Sequence, residues 1–471
     1  MSELSKGQEL EKKLIWKEQL VWEKIGEQEK EQIFSLNEKY KTFLDRAKTE
    51  REGVEYIVEQ AQKAGFRALE EYIAQGQIAP GQKFYSVNRG KMVVLGIMGA
   101  TPLAEGVHLV GAHLDAPRLD LKPNPLYESE GLGLLKTHYY GGIKKYQWLT
   151  IPLAIHGVIV NSQGKKIKIA IGEKDSDPIF TITDLLPHLA KEQMKKTMTE
   201  GVTGESLNLL VGSIPYSDEE VKEKVKLALL DQLHREYDLL EEDLISSEIE
   251  IVPAGKARDL GLDRSMIGAY GQDDRACAFP SFTAICELEK PQKTALAFFT
   301  DKEEIGSMGN TGAKSRFLEY LLARMCLLEK KNTLALEVLN NSQALSADVV
   351  AAEDPNYEGV MDKRNAAALG RGVVLTKYTG AGGKYDANDA HAEFVGEIRN
   401  LFNEHGVVWQ VGELGKVDQG GGGTIAQFLA DQGFETLDCG LALLSIHAPL
   451  EVASKADIYM AYKAYRTFWE K

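Results

Sequence analysis

The sequence predicts an α/β fold in which a mixed sheet flanked by helices is interrupted by a β-rich insertion. Short apolar runs typical of buried strands alternate with longer amphipathic runs typical of helices at both ends of the chain. Between about residues 122 and 268 this pattern gives way to short alternating segments. Because 471 residues exceed what one simple core accommodates, we expect one domain built from 1–122 and 267–471, and an inserted domain over 123–266.

The composition argues against two classes of partner. A net charge of −15 leaves little basic surface to neutralise phosphates, so no nucleic acid is expected to bind. The apolar runs are too short to cross a bilayer, and no membrane association is expected. The N-terminus lacks the apolar core of a signal peptide, and the four cysteines lack CxxC spacing: Cys277, Cys286, Cys326 and Cys439. We therefore expect a cytoplasmic protein with reduced thiols.

The first 122 residues predict helices followed by strands. Apolar residues spaced among Glu and Lys predict amphipathic helices within 1–50. A second helical stretch is predicted from Val54 to Gln75, before Gly76. Two apolar runs, Lys91–Met98 and Val107–His113, are predicted as strands of the sheet.

His113 is the first candidate metal ligand, because it stands where a predicted strand ends. Asp115 follows two residues later and could accept a hydrogen bond from the imidazole nitrogen that does not face a metal. Such a contact would fix the tautomer of the ring. A lone histidine at a strand end is often only structural, and this motif alone leaves both interpretations open.

The insertion predicts strands over Trp148–Val160 and Lys166–Ile171 and a helix within Ser217–Asp238. Four histidines are scattered through it: His138, His156, His188 and His234. No cluster of acids and histidines in its β-rich part has the spacing of a metal site. We interpret these histidines as structural or surface residues, and we expect the insertion to pack against another subunit.

Two adjacent acids, Asp273 and Asp274, directly precede an apolar helix predicted over Ala276–Leu288. A carboxylate at this position can cap the helix, because helix N-termini favour negative charge. It can equally bridge two cations, with Arg275 helping to organise the loop. The motif alone leaves both possibilities open.

A second acidic pair, Glu303 and Glu304, follows an apolar strand predicted over Ala295–Phe299. Reactive groups gather at the carboxyl ends of strands in open α/β sheets. Two neighbouring carboxylates there suit a division of labour, in which one binds a metal and the other moves protons. Spacing alone does not say which glutamate does which.

The last third of the chain predicts further elements of the sheet and its covering helices. Helices are predicted over 315–341, 386–405, Ile425–Asp431 and Asp457–Trp469, and strands over Leu345–Ala352, Gly372–Tyr378, Val407–Val411 and Leu441–His447. Asp348 is the only charge in its apolar strand, and an isolated buried acid is costly unless it is paired or bound to metal. His447 ends the last predicted strand.

A run of glycines, Gly420–Gly423, precedes the helix predicted over Ile425–Asp431. Backbone amides at such a position can face an anion. No GK[ST] follows the run, so it is not a Walker-type nucleotide loop. We interpret Gly421 and Gly422 as part of a wall that contacts substrate.

Six groups at strand or helix ends can meet at one edge of the sheet: His113, Asp273, Glu303, Glu304, Asp348 and His447. Two imidazoles and three carboxylates, one of them bridging, would bind two metal ions that polarise a carbonyl. The remaining acid would transfer the proton. Ligation by nitrogen and oxygen without sulfur suits Zn²⁺, and also Mn²⁺ or Co²⁺.

These motifs, taken together, resemble those of the M18 (aspartyl aminopeptidase) family, in particular its bacterial aminopeptidase I branch. The resemblance rests on five segments: His113-Leu114-Asp115-Ala116-Pro117, Asp273-Asp274-Arg275, Asp301-Lys302-Glu303-Glu304-Ile305-Gly306-Ser307, Ser346-Ala347-Asp348 and Ser445-Ile446-His447. It runs through nearly the whole chain. The resemblance implies a two-zinc exopeptidase with a phosphorylase/hydrolase-like catalytic domain and an inserted β-rich dimerisation domain. It also implies a homo-oligomer, a tetrahedral dodecamer built from dimers.

The resemblance also implies a role for each residue. His113 and Asp348 would bind one metal, Glu304 and His447 the other, and Asp273 would bridge them: a set of two zinc ions per subunit. Glu303 falls on the general base of the family, acting on the water between the metals, and Asp115 falls on the residue that orients the first histidine.

The chain departs from the family pattern near the predicted substrate end. Eukaryotic members follow the Ser-x-Asp strand with a His-Ala-x-His-Pro-Asn segment, whereas residues 351–356 contain no histidine. In the insertion, a family motif that begins at His188 has Glu192 where a second histidine is expected. A preference for an acidic N-terminal residue would then need another cation, and Lys384 is the candidate for that pairing.

Our hypothesis is a cytoplasmic, oligomeric, two-metal aminopeptidase that removes the N-terminal residue of peptide substrates. A metal-dependent amidase or deacylase acting on small molecules is an alternative, because the metals would treat all amides alike. A self-assembling scaffold with a vestigial site is the non-enzymatic alternative. All the expected ligand types are present in the sequence, which disfavours the scaffold.

Overall fold

The structure, a computed structural model, describes residues 5–471; the first four residues of the predicted N-terminal helical stretch lie outside the described residues. Thirteen α-helices form within that range: α1 (Lys6–Leu14), α2 (Val21–Lys24), α3 (Glu27–Arg46), α4 (Glu50–Lys63), α5 (Leu69–Gln75), α6 (Met198–Gly201), α7 (Lys224–Tyr237), α8 (Gln272–Glu287), α9 (Phe317–Glu329), α10 (Ala335–Asn340), α11 (Ala392–Glu404), α12 (Ala426–Asp431) and α13 (Lys455–Glu470). None of the described helices is long and apolar enough to span a bilayer.

The same range of residues contains twenty β-strands arranged in three sheets. The strands are β1 (Arg67–Ala68), β2 (Lys83–Asn88), β3 (Met92–Ile97), β4 (Val107–His113), β5 (Arg118–Ser129), β6 (Leu132–Tyr140), β7 (Leu153–Val160), β8 (Lys166–Ile171), β9 (Leu209–Gly212), β10 (Ser247–Pro253), β11 (Arg258–Leu260), β12 (Met266–Ala269), β13 (Thr294–Thr300), β14 (Gln343–Ser346), β15 (Val350–Ala351), β16 (Val373–Thr376), β17 (Trp409–Val411), β18 (Glu435–Gly440), β19 (Ala442–Leu444) and β20 (Glu451–Ser454).

The largest sheet has nine strands in the order β1-β2-β3-β13-β4-β14-β18-β16-β17. Its centre is parallel, because β13 and β14 both pair in parallel with β4, and β18 pairs in parallel with β14. Antiparallel pairs flank this centre and make the sheet mixed. The strands β4 and β13 are buried along their whole length, as continuous apolar runs predict. The prediction of a mixed α/β fold is confirmed at this level.

Helices cover both faces of the nine-stranded sheet, because successive strand side chains point to opposite sides. Helices α3, α4, α8, α11 and α13 share one apolar core with alternate residues of the central strands. Helices α5, α9, α10 and α12 share a second core with the residues between them. On α13, the fully buried Trp469 also donates its indole N–H to the backbone carbonyl of His108, at 3.1 Å. The terminal helix is thereby fixed against the strand that ends in His113.

Two smaller sheets complete the fold. The six-stranded sheet, in the order β8-β7-β10-β5-β6-β9, is antiparallel and is built from residues 118–253. It encloses a separate apolar core around Trp148, which is fully buried. The five-stranded sheet, in the order β11-β12-β20-β19-β15, joins segments that are far apart in the sequence. A β-rich region therefore lies where the sequence changes to short alternating segments. The predicted domain limits of 123 and 266 stay predictions.

Some predicted elements differ from the observed ones. The single helix predicted from Val54 to Gln75 is wrong, because the chain leaves α4 at Lys63 and turns at Gly65, whose φ of 88° favours glycine. The helix predicted over 315–341 is likewise two helices, α9 and α10. The strand β18, at the boundary of the parallel region, was not predicted, because its Asp438 and Gly440 are residue types that strands usually avoid.

The strand predicted over Leu345–Ala352 is also two strands. The first, β14, belongs to the nine-stranded sheet, and the second, β15, belongs to the five-stranded sheet. Asp348 lies in the turn between them and not within a strand. The crossing is tight: a side chain at Gly440 would place its Cβ 1.6 Å from the carbonyl oxygen of Asp348. The strand predicted over Leu441–His447 is also shorter than predicted, because β19 ends at Leu444. The chain turns after it, and Ser445 and His447 have positive φ angles in this turn.

His108, buried in β4 against Phe468, provides a test of this packing. Burial lowers its pKa to about 3. As the pH falls below about 6.5, the His108 imidazole therefore takes up a proton in the unfolded chain but stays neutral in the folded chain. Stability is therefore lost as the pH falls through this window, by about 2 kcal/mol between roughly pH 7 and 5 from this residue. We expect His108→Phe to flatten the pH dependence of the unfolding free energy by this amount, in urea titrations with a chelator present.

The matched control is His138→Phe, because His138 is exposed. It should leave the pH dependence as in the wild type. An unchanged slope in His108→Phe would show that the buried imidazole does not resist protonation.

Candidate functional site

A cluster of histidines and acids lies at the carboxyl edge of the nine-stranded sheet. His113 ends β4, and the parallel register places it directly beside Thr300, the last residue of β13. Glu303 and Glu304 follow in a short turn after β13. On the other side of β4, the backbone N–H of Ala347 donates to Gly111 at 2.7 Å, and this contact positions Asp348, the next residue. The strand order itself therefore brings these acids to His113.

The other two members of the cluster come from outside the strand ends of this sheet. Asp273 lies in the first turn of α8, where its backbone is not helical. His447 lies in the turn between β19 and β20, in the five-stranded sheet. Strands β12 and β20 pair so that Ala269 faces Glu451, which brings the start of α8 next to the turn that carries His447.

The carboxylate of Asp273 lies between the two imidazole rings. Its Oδ1 is 3.2 Å from Nε2 of His113, and its Oδ2 is 3.2 Å from Nε2 of His447. The Nδ1 atom of each ring faces a backbone carbonyl, at 3.0 Å for Asp115 and at 2.9 Å for Gly142. A proton on each Nδ1 therefore leaves both Nε2 atoms free to act as ligands.

Three further acids surround this arrangement. Around His113, Nε2 lies 4.0 Å from Glu303 Oε2 and 3.9 Å from Asp348 Oδ1. The Glu304 Oε2 lies 3.4 Å from Nε2 of His447. The structure therefore brings together all six residues that the sequence placed at strand and helix ends.

Asp115 is buried and accepts more hydrogen bonds than the sequence suggested. Its carboxylate accepts the backbone N–H groups of Glu303 and Glu304, at 3.1 and 3.2 Å, and the hydroxyl of Tyr140, at 2.9 Å. One carboxylate oxygen also lies 3.4 Å from Nδ1 of His113, slightly farther than the backbone carbonyl of Asp115 itself. Asp115 thus fixes the turn that carries both glutamates as well as facing the histidine.

Burial and mutual repulsion shift Glu303, Glu304 and Asp348 toward their neutral forms, whereas the two histidines outweigh burial at Asp273 and lower its pKa. Burial raises the pKa of Glu303 to about 7, and burial and the neighbouring Asp273 hold the pKa of Glu304 well above its usual range. Burial and Asp274 have the same effect on the pKa of Asp348. The pKa of His447 rises to about 9 although burial opposes it, because Asp273 accepts its hydrogen bond. The site therefore holds more negative charge than its own cations balance.

The donor set fits divalent metal ions. Three buried atoms of the cluster make no well-aligned hydrogen bond: His113 Nε2 and Asp273 Oδ1, which lie 3.2 Å apart, and Glu304 Oε1. Such buried polar atoms are costly unless another group satisfies them. Two overlapping sets of ligand atoms lie close enough to hold an ion, one with His113, Asp273 and Glu304, and one with His113, Asp274 and Asp348. Imidazole and carboxylate ligands without sulfur suit zinc.

Three further residues support the cluster: the sequence pointed to Asp274 without assigning it this contact, and it missed Tyr140 and Glu451. Asp274 is fully buried and accepts the backbone N–H of His113 at 3.3 Å. Tyr140 comes from β6 of the six-stranded sheet, and no local signal connects it with Asp115. Glu451 is buried and accepts the backbone N–H of His447 at 2.8 Å. Its spacing of four residues from His447 was the one signal that the sequence offered.

A cavity of about 590 Å³ opens onto the cluster. Its walls include Gly421 and Gly422, as predicted for the glycine run, together with Gly142 from the loop after β6. Lys384 does not line this cavity. It lines a smaller neighbouring cavity, where its Nζ contacts Asp389 at 3.1 Å and lies over the ring of Tyr378.

The lining of the larger cavity is partly apolar and partly polar. The apolar side chains that line it are Val349, Val350, Leu414, Phe428 and Ile446, and the polar ones outside the cluster include Thr376, Gln427 and Asp438. Among the residues that the structure describes, no lysine or arginine lines this cavity. A group that enters it meets apolar side chains as well as the cluster of acids and histidines.

Comparison with known proteins agrees with the resemblance seen in the motifs. The family model for "Aminopeptidase I zinc metalloprotease (M18)" matches residues 43–469. A probable M18 family aminopeptidase 1 from Clostridium acetobutylicum is 50% identical over 450 residues, which are 95% of this chain and 97% of that protein.

Solved structures are similar over the same range. The crystal structure of an M18-family aminopeptidase from Thermotoga maritima has a TM-score of 0.93 at 49% identity, and the match covers 97% of this chain and 100% of that one. A dodecamer of mApe1 from S. cerevisiae shares the fold alone, with a TM-score of 0.74 at 23% identity, over 92% of this chain and 95% of that one.

If the orphaned atoms of the cluster are metal ligands, zinc should stabilise the folded protein. At a zinc concentration about a hundredfold above the dissociation constant, we expect the unfolding free energy to rise by about 2.7 kcal/mol per bound ion. Asp273→Asn should lose most of this gain, because the carboxylate between the two rings loses one acceptor and its charge. Urea titrations of chelator-treated protein, with and without Zn²⁺, measure the effect.

Asp389→Asn is the control, because Asp389 is an exposed carboxylate that contacts Lys377 and Lys384 outside the cluster. It should keep the full stabilisation by zinc. Equal stabilisation of the wild type and Asp273→Asn would contradict a metal site at this cluster.

Proposed function

Because the chain belongs to the Aminopeptidase I zinc metalloprotease (M18) family, we propose that it is a zinc aminopeptidase that hydrolyses the N-terminal residue of peptides with two zinc ions. The observation that carries the two-metal proposal is the placement of Asp273. Its two carboxylate oxygens face different rings, with Oδ1 3.2 Å from Nε2 of His113 and Oδ2 3.2 Å from Nε2 of His447. A carboxylate in this position is the bridging ligand that a pair of ions needs.

In this proposal each zinc ion has its own histidine and its own acid. His113 and Asp348 would hold one ion, His447 and Glu304 would hold the other, and Asp273 would be shared by both. The side-chain contacts support this division, because Asp348 approaches His113 and Glu304 approaches His447. The chemistry that zinc would supply at these ligands is polarisation of the scissile carbonyl and a lower pKa of the attacking water. Mn²⁺ or Co²⁺ could occupy the same nitrogen and oxygen ligands.

Glu303 is the proposed general base. It lines the cavity, and its carboxylate lies beside Asp273 and His113 without another assigned task. Its carboxylate is not among the assigned metal ligands, so it can accept a proton from water and return it to the leaving amine. Asp115 supports this role, because it fixes the backbone N–H of Glu303 and orients His113.

The cavity supports a substrate with a neutral, apolar N-terminal side chain. Its apolar lining residues can contact such a side chain, whereas an acidic side chain would lose hydration without gaining a lysine or arginine partner and would meet the carboxyl group of Asp438 in the lining. Lys384, the candidate partner for an acidic residue, is engaged with Asp389 in a neighbouring cavity. These observations favour neutral N-terminal residues.

The proposal extends to the architecture and the assembly of subunits. The nine-stranded sheet with its helices would be a phosphorylase/hydrolase-like catalytic domain, and residues 123–266 would be the inserted dimerisation domain. Exposed apolar side chains concentrate in this insertion and support association: Ile179, Leu185, Leu186, Leu189, Met194, Met198 and Ile214. Together with the dodecamer known for a protein of the same fold, they favour a homo-oligomer, a tetrahedral dodecamer built from dimers.

The role of Glu303 is tested by Glu303→Gln. The amide cannot take the proton, so we expect turnover to fall by about 100- to 10,000-fold. The zinc content should stay at two ions per chain, because the assigned ligands are untouched. Hydrolysis of an aminoacyl-anilide and metal analysis of the same preparation measure both quantities.

Glu353→Gln is the control, since Glu353 lies close along the chain to Asp348 but does not line the cavity. It should retain wild-type turnover. Near wild-type activity in Glu303→Gln would remove Glu303 from the role of base.

The side-chain preference is tested with two substrates of similar size. We expect kcat/KM for a leucyl-anilide to exceed that for a glutamyl-anilide by at least about tenfold, because the buried carboxylate of the second has no cationic partner. Lys384→Ala should not change this ratio. A faster glutamyl substrate would contradict the preference for neutral residues, and a ratio that changes in Lys384→Ala would show that Lys384 reaches the substrate. An N-acyl amino acid in the same assay separates an aminopeptidase from a deacylase.

A further inference from the structure

Glu451 is a buried carboxylate with three backbone N–H groups directed at it. Its Oε2 accepts the N–H of Gln272 at 2.6 Å and that of Asp273 at 3.1 Å, and its Oε1 accepts the N–H of His447 at 2.8 Å. The side chain is 1% exposed. Glu451 therefore connects the start of α8 with the turn after β19, two segments that are far apart in the sequence.

The two residues that Glu451 connects at the site have linked tasks in the proposed function. Asp273 is the bridging ligand, and His447 is a ligand of one ion. Glu451 accepts hydrogen bonds from the backbone of these two residues and not from their side chains. It does not line the substrate cavity. Glu451 therefore fixes the backbone positions from which the ligand side chains extend, and it does not itself bind metal.

The position of Glu451 is itself fixed by neighbouring groups. Strand β20 begins at Glu451, which pairs with Ala269 of β12. The side-chain amide of Gln272 donates to the carbonyl of Glu451 at 2.7 Å and to that of Ile267 at 3.1 Å. The hydroxyl of Tyr40 donates to the amide oxygen of Gln272 at 3.2 Å. Glu451 is thus a preorganised acceptor whose place does not depend on a bound metal.

Asp115 has an equivalent part on the other side of the site, where it accepts the backbone N–H groups of Glu303 and Glu304. Resting on the proposed two-zinc function, we infer that Glu451 is a positioning residue that holds Asp273 and His447 at the separation needed for the zinc ion bound by Glu304 and His447. The other ion keeps His113 and Asp348, which Glu451 does not contact.

Replacement of Glu451 by glutamine should disrupt this arrangement at little cost in volume. Both carboxylate oxygens accept N–H groups, and an amide has only one oxygen. Whichever way the amide turns, its NH₂ group faces at least one backbone N–H, and donor opposes donor. Either the His447 turn or the start of α8 must then move.

The experiment starts from the zinc-loaded holoenzyme and a chromophoric chelator that competes for Zn²⁺. In Glu451→Gln, we expect one of two ions per chain to be released at a chelator concentration about 10- to 100-fold lower than in the wild type. The second ion shares Asp273 but keeps His113 and Asp348, so its release should need a chelator concentration closer to that of the wild type. Turnover of a leucyl-anilide should fall through kcat, with little change in KM, because the cavity walls are intact.

Asp457→Asn is a matched control for the loss of a buried charge. Asp457 is also 1% exposed and also accepts two backbone N–H groups, from Gly370 and Gly372, both at 2.7 Å. Those residues carry no proposed ligand. We therefore expect Asp457→Asn to lose stability as Glu451→Gln does, but to hold both zinc ions as the wild type does.

Circular dichroism establishes whether each variant is folded. If Glu451→Gln does not fold, Glu451→Asp keeps the charge and shortens the reach, and its zinc retention should lie below that of the wild type. Wild-type retention of both ions in a folded variant of Glu451 would overturn the inference and leave the two-zinc proposal intact. So would an equal zinc loss in Asp457→Asn. Fewer than one zinc ion in the wild type would overturn both.

Discussion

The burial of several carboxyl groups close together is the constraint on which this structure depends. The cluster contains four acids and two imidazoles, and the nitrogen-to-oxygen separations between its histidines and acids range from 3.2 to 4.0 Å. Burial and repulsion push Glu303, Glu304 and Asp348 toward protonation, and the two histidines cannot balance all of the carboxylates. Bound divalent cations resolve this imbalance, since they supply positive charge where orphaned ligand atoms already point.

Such a cluster stays in place only if the backbone around it is fixed independently. Two buried carboxylates provide this support from opposite sides: Asp115 accepts the N–H groups of the glutamate turn, and Glu451 accepts those of Asp273 and His447. The central parallel strands fix the remaining residues of the cluster, because β4 places His113 between the ends of β13 and β14. The six-stranded sheet takes part as well, through the hydroxyl of Tyr140 and the carbonyl of Gly142.

The sequence predicted the chemical groups of the site well, and the local backbone less well. His113 and Glu303 were found because each follows a continuous apolar strand, a strong signal for a sheet edge. The strand proposed around Asp348 was wrong, because an apolar run does not show that the chain passes from one sheet to another. Glu451 and Tyr140 were missed, because neither carries a motif and both act through contacts with residues that are distant in the sequence.

By itself, the sequence determined which residue types could bind metal, the α/β class and, through its motifs, the M18 family. These depend on local periodicity and on the order of short segments, which a single chain displays directly. Only the tertiary structure decided that Asp273 lies between the two imidazoles, that Lys384 is outside the cavity, and that Glu451 connects two ligand segments. Burial, charge balance and hydrogen-bond satisfaction depend on neighbours in space, and strand pairing sets those neighbours over hundreds of residues.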